Sequence, residues 1–324
     1  MNTAQAQLGA VLAAGGTELA RLLERTEARL GEVVEGHGAE LARHATGTLA
    51  AGGKRLRPML VFLCADRDAG ERLVAAGVAV ELLHMATLVH DDVLDRAPLR
   101  RGRPTVFAEG GRSAATATGD LLFSRAFAEL ASTGSADAVR ALSAASSALA
   151  RGELMQRVDA WSEDVSQERY LQRCRLKTAS LFEASCRLGA VLGGRPGLAD
   201  AVGCFGERVG LAFQMLDDVL DVSGPAERTG KPRGTDILDG TVTLPLILAR
   251  PRDRALRALD PGLTPERAEA LCERIAATGA LEDAREQALA HVSEAKRSLA
   301  GLDLPDARRA ALDLVADGVV ERYA

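Results

Sequence analysis

Apolar residues recur at three- and four-residue spacing through almost the whole chain, and strand-like alternation of β-branched and aromatic residues is hard to find. That pattern dictates helix packed on helix. It predicts helices over 3–30, 32–50, 55–67, 71–95, 113–131, 135–159, 166–192, 197–222, 237–249, 265–277, 280–300 and 305–322. Breaks fall at Pro98 and Pro104, at Gly193-Gly194-Arg195-Pro196-Gly197 and at Ser223-Gly224-Pro225. Thr264-Pro265 reads as an N-cap followed by the first residue of a late helix. No linker is long or low in complexity and nothing repeats at a solenoid period, so residues 1–324 are read as one all-α domain. With aromatics at 3%, Ala, Leu and Val must supply most of the core.

The 40 Lys and Arg against 45 Asp and Glu leave a formal charge of −5, which argues against wrapping nucleic acid by bulk charge. Cys64, Cys174, Cys186, Cys204 and Cys272 form no C-x-x-C pair and leave one odd, so they read as small core residues in a reducing compartment. The first twenty residues lack Lys and Arg, so no secretory signal with a basic start is expected. No apolar run reaches the ~18 residues of a membrane span. The expectation is a soluble cytoplasmic globule.

One pentamer recurs letter for letter. Asp91-Asp92-Val93-Leu94-Asp95 and Asp217-Asp218-Val219-Leu220-Asp221 each end an apolar helix shortly before a helix breaker. Positions i and i+4 share a face, so Asp91 lies beside Asp95 and Asp217 beside Asp221. Three acids in a last turn repel one another and sit at the negative end of the macrodipole, where each costs about 0.3–1 kcal/mol. Divalent cations remove both penalties, and Mg²⁺ suits oxygen ligands while keeping phosphate in its shell. One such motif alone would read as a solvated acidic end; two in the same context point to cation binding.

Basic segments flank the acids. Gly52-Gly53-Lys54-Arg55-Leu56-Arg57-Pro58 places mobile glycines and cationic heads at a helix start, which suits phosphate. Its spacing is not that of a Walker loop. Arg100-Arg101-Gly102-Arg103-Pro104-Thr105 follows the first acidic motif, Lys177-Thr178 lies mid-helix, and Gly230-Lys231-Pro232-Arg233-Gly234 follows the second motif. Separate acidic and basic clusters fit polyanionic substrates bridged by metal better than a nucleic-acid groove.

These residues resemble the trans-type isoprenyl (polyprenyl) diphosphate synthases from about Gly52 to Leu246. The shared motifs are G-G-K-R-x-R-P, D-D-x-x-D, L-R-R-G-x-P-T, K-T-A-x-L-F at Lys177–Phe182, F-Q-x-x-D-D-x-x-D at Phe213–Asp221 and G-K-x-x-G-x-D at Gly230–Asp236. The resemblance implies the isoprenoid synthase type I fold, a bundle of antiparallel helices around a deep central cavity, usually a homodimer. It implies three Mg²⁺ ions, with Mn²⁺ an alternative, bridging Asp91, Asp92, Asp95, Asp217, Asp218 and Asp221 to an allylic diphosphate. Lys54, Arg57, His84 and Arg101 then look like the isopentenyl diphosphate site. Arg100, Lys177, Thr178, Gln214 and Lys231 look like the allylic diphosphate site. His84 is raised above an ordinary core histidine by its place in L-H-x-A-T-L-x-H-D-D, while Cys186 and Met215 read as packing residues. The sequence departs from the family at Thr241, where many members carry Lys, so the allylic site has one cation fewer or Lys231 and Arg233 cover the role.

The implied reaction is sequential head-to-tail condensation, with Gln214 and Thr178 placing their dipoles near the carbocation and released pyrophosphate taking the proton. Product length follows from depth. The position five before Asp91 lies about 7.5 Å further down the helix. It is Ala86, with Thr87 beside it and Leu83 and Val80 as the next layers. Because members of the resembled family that stop at short chains place bulky aromatics there, the resemblance favours a product of about C30 to C45. Phe123 and Phe127 on the facing helix are candidate floors. Such chains resemble quinone side-chain precursors. Rival readings are a farnesyl or geranylgeranyl diphosphate synthase, a class I terpene cyclase, a non-catalytic partner subunit and a helical scaffold. Cyclases lack the G-G-K-R motif and usually differ at the second acidic motif, partner subunits have typically lost one acidic motif, and six ordered motifs weigh against a scaffold.

Overall fold

A computed structural model describes residues 3–66, 70–224, 233–257 and 259–321. Helices run over α1 (Thr3–Val34), α2 (Ala39–Ala50), α3 (Leu56–Leu63), α4 (Glu71–Leu94), α5 (Val106–Ala131), α6 (Ala136–Asp159), α7 (Gln167–Cys174), α8 (Ser180–Leu192), α9 (Ala199–Ser223), α10 (Thr235–Leu238), α11 (Leu244–Ala249), α12 (Pro265–Ala277), α13 (Ala280–Leu299) and α14 (Asp306–Glu321). α4 packs along α5, and α9 lies between α8 and α13. These two inner helices carry the two acidic motifs, which places both at helix ends anchored in the core. The core is aliphatic, with Tyr170, Phe182 and Phe205 its largest fully buried side chains.

Most predicted elements are present, and the helix starts follow local capping chemistry. Thr105, Ser135, Ser166 and Thr264 each accept a hydrogen bond from the backbone N–H three residues on. Four departures matter. Residues 237–249 are not one helix: Gly240 turns with φ 74° beneath the Trp161 ring, where any Cβ would collide, and Thr243 leads extended into α11. The 166–192 stretch contains a π-helical segment at Arg175–Ala179 between α7 and α8. α5 begins at Val106 rather than 113 and bends at Gly111. Between α4 and α5 a small hairpin forms, β1 (Leu99–Arg100) against β2 (Arg103–Pro104), turned by Arg101 and Gly102 at φ 52° and 74°.

Two sequence expectations are corrected. α4 is long and apolar enough by composition to cross a bilayer, but most of it is buried inside the protein, as befits a central helix. Cys204 is exposed, whereas the other four cysteines are buried.

Candidate active site

The first acidic motif closes α4. Asp92 is buried and paired with Arg100 at 2.8 Å; Asp95 pairs with Arg157 of α6 at 2.6 Å. The hairpin explains the reach of Arg100: it folds the basic segment back over the helix end it follows. Burial, with Glu153 and Asp95 adding repulsion against the attraction of Lys177, pushes the Asp91 carboxyl up to about 6.

The basic residues gather beside it. The Arg57 guanidinium lies over the Phe182 ring, 4.6 Å from its centroid, and burial brings its pKa down to about 10. Burial and then the Arg57, Arg101, Arg100 and Arg55 charges hold His84 well below the usual imidazole range, so it is neutral near pH 7. Arg101 donates to the Gly52 carbonyl, and Lys54 is exposed in the approach to α3. Arg55 is a strut: it is buried and bound to Glu81 at 2.7 Å and to Glu27. A cavity of about 200 Å³ opens against His84, Arg100, Arg101, Met85 and Leu88.

The second motif closes α9. Asp217 is exposed; Asp218 is buried and accepts from Tyr170 Oη and Gln214 Nε2, each at 2.7 Å. Burial, then Asp236, pushes Asp218 up to about 7 against those two donors. Asp221 accepts from the Asp236 amide at 3.2 Å, and burial together with the Asp236 charge pushes it up to about 9. Both clusters therefore hold carboxyls that resist ionisation without a cation. Among the described residues no three carboxylate, imidazole or thiol groups converge closely enough to cage an ion by themselves.

Both clusters meet at the π segment. Lys177 pairs with Glu153 and lies 3.3 Å from Gln156 Oε1; Glu153 accepts from Arg157, which holds Asp95. One residue on, Thr178 donates to Gln214 Oε1 at 2.6 Å, and Gln214 holds Asp218. Gly152 makes this approach feasible: a Cβ there would sit 2.5 Å from the Lys177 amide nitrogen. π-bulges of this kind are frequent at functional sites.

The sequence reading missed Glu153, Arg157 and Tyr170, and it quoted Asp236 within a motif without giving it a role. The G-K-x-x-G-x-D pattern was the available signal for Asp236; the other three reveal themselves only through contacts distant in sequence. Lys231 lies outside the described residues. Ala86, Leu83 and Val80 are buried on α4, and Thr87 is half-buried with its hydroxyl on the His84 carbonyl. Phe127 is half-buried and stacks on Phe123 at 5.2 Å, but Phe123 is 38% exposed, on the outer side of this single chain.

The family profile described as Polyprenyl synthetase matches residues 39–273. The chain belongs to the polyprenyl synthetase family. It is 40% identical over 272 residues to heptaprenyl diphosphate synthase component 2 of Geobacillus stearothermophilus, covering 82% of this chain and 85% of that one. It is 35% identical over 272 residues to the octaprenyl diphosphate synthase of Escherichia coli K12, covering 80% and 82%. Among solved structures, a decaprenyl diphosphate synthase from Rhodobacter capsulatus superposes with a TM-score of 0.86 at 33% identity, covering 95% of this chain and 98% of that one. This polyprenyl synthetase thus has the all-α isoprenoid synthase fold and is a prenyltransferase of the trans-polyprenyl diphosphate synthase type.

Proposed function

We propose that this polyprenyl synthetase extends an allylic diphosphate with isopentenyl diphosphate to a product of about C30 to C45, a length supported by the small side chain at Ala86 on α4 and by the heptaprenyl and octaprenyl products named for its relatives. The whole chain, residues 1–324, works as one domain, in the cytoplasm and as a homodimer. Phe123 on α5 and Leu154 and Val158 on α6 are large apolar side chains left exposed, which supports a second copy covering them. The observation that carries the reading is the π segment: Lys177 reaches the first acidic cluster through Glu153 and Arg157, and Thr178 reaches the second through Gln214.

The donor set fits Mg²⁺, since six carboxylates supply hard oxygen and several are driven toward neutrality by burial and mutual repulsion. Asp91, Asp92, Asp95, Asp217, Asp218 and Asp221 would hold three ions, completed by water and diphosphate oxygens. Bound ions would neutralise these acids and stabilise charge on the departing diphosphate. Arg100, Lys177, Thr178 and Lys231 hold that diphosphate while its C–O bond ionises. Lys54, Arg57, neutral His84 and Arg101 hold isopentenyl diphosphate so that its double bond meets the allylic cation without a bimolecular encounter. Gln214 and Thr178 direct dipoles at the cation, and pyrophosphate accepts the proton. The nascent chain descends beside Ala86 and Thr87 past Leu83 and Val80, toward half-buried Phe127. Arg233 is held by Glu273 and the Val222 carbonyl, so Lys231 covers the charge absent at Thr241.

The test is incubation with isopentenyl diphosphate, Mg²⁺ and geranyl, farnesyl or geranylgeranyl diphosphate, followed by chromatography of the dephosphorylated products. The expected result is a ladder ending in the proposed range. A ladder stopping at farnesyl or geranylgeranyl would correct the length. No elongation by folded protein would favour a partner-subunit reading, which the word component in the Geobacillus relative's name brings into view.

A further inference from the structure

Lys177 has three anions in its field: Glu153, Asp91 and Asp95. Its partner is Glu153, which is 16% exposed and lies next to the glycine that seats the π segment on α6. Burial works against ionising Glu153, but Lys177 and Arg157 outweigh it and hold the carboxyl below its usual value. One oxygen faces Lys177 and the other accepts from Arg157 Nε at 2.7 Å, while the far end of Arg157 reaches Asp95 at 2.6 Å. The row Lys177–Glu153–Arg157–Asp95 therefore alternates in charge across the first acidic cluster.

We propose that Glu153 is a positioning residue for the allylic diphosphate site, holding Lys177 off the Asp91–Asp95 pair. This rests on the reading that Lys177 takes the allylic diphosphate. The physical case is competition. With Glu153 neutral, the ammonium group's strongest remaining partners are Asp91 and Asp95, and a lysine settled on them occupies the oxygens that cations need and removes itself from the diphosphate. Arg157 loses one of its two anionic partners at the same time and turns more strongly to Asp95, the other. Glu153 touches no reacting atom in this arrangement; it acts through Lys177.

The test uses the full chain and Glu153→Gln, which keeps the shape and removes the charge. The expected result is a KM for farnesyl diphosphate raised about tenfold, with the KM for isopentenyl diphosphate within about twofold of the parent. Calorimetric titration of inorganic pyrophosphate with Mn²⁺ should show the same weakening without any turnover. In a Lys177→Ala background Glu153→Gln should add nothing, and Glu153→Asp should restore part of the affinity. Unchanged affinity, equal loss for both substrates, or full additivity with Lys177→Ala would each overturn the proposal. If Glu153→Gln does not fold by circular dichroism, Glu153→Asp must itself weaken allylic binding selectively, or the proposal fails. Parent protein that binds pyrophosphate but elongates no starter would sink the functional reading, while the pyrophosphate comparison would still decide the role of Glu153.

Discussion

Tyr170→Phe removes one oxygen from a fully buried side chain and leaves its ring packing in place. That oxygen donates to Asp218 Oδ2 at 2.7 Å, while Gln214 keeps Oδ1 at 2.7 Å. A hydrogen bond to a charged group contributes about 1.5–3 kcal/mol. At 1.36 kcal/mol per unit, its loss raises the Asp218 pKa by about one to two units. Asp218 already stands at about 7, with burial its main cause, so the variant should be mostly protonated there at neutral pH. The acid limb of the pH profile of kcat/KM should therefore move up by about one to two units, with activity recovering as the pH is raised. The assay is initial rate against pH at Mg²⁺ well below saturation, where proton and cation compete for Asp218, with thermal melts of both proteins as a control on folding. An acid limb that stays put in a folded variant would refute the claim that Tyr170 keeps Asp218 ionisable.

The same electrostatics make the metal-free protein sensitive to alkali. Asp91, Asp218 and Asp221 are raised to about 6, 7 and 9, so the native state binds more protons than the unfolded chain, and stability is lost as pH rises through those values. Melting temperature in EDTA should fall between about pH 6.5 and 9, and Mn²⁺ with pyrophosphate should flatten the slope; a flat profile in EDTA would contradict the raised values. Asp95→Asn should lower turnover by about a hundredfold or more while leaving the melting temperature nearly unchanged, as measured by product formation and calorimetry. Ala86→Phe should shorten the product ladder seen by chromatography; an unchanged ladder would remove Ala86 from the account of length.

The features legible in the sequence are those whose signals are local in the chain. The repeated pentamer names six acids, and its place at two helix ends is legible because apolar spacing is local. Lys177 and Thr178 could be named from a motif, but not their π geometry, because the apolar spacing through Arg175–Ala179 runs on as though the helix were regular. The hairpin that folds Arg100 onto Asp92 has no alternating pattern; its turn depends on Arg101 and Gly102 at positive φ. The break at Gly240 depends on Trp161, remote in sequence, lying against it. Tyr170 and Glu153 are ordinary helical residues until α9 and the π segment pack against them. Arg55 shows the converse: it sits in a basic motif, yet Glu27 and Glu81 take its charge.

Crystals soaked with Mn²⁺ and pyrophosphate test the central claim most directly, because anomalous scattering locates the ions independently of turnover. Peaks are expected between pyrophosphate oxygens and the carboxylates of Asp91 and Asp95 on one side and Asp217 on the other, with Lys177 on the pyrophosphate. Ions bound elsewhere, or pyrophosphate held with neither acidic motif in contact, would contradict it.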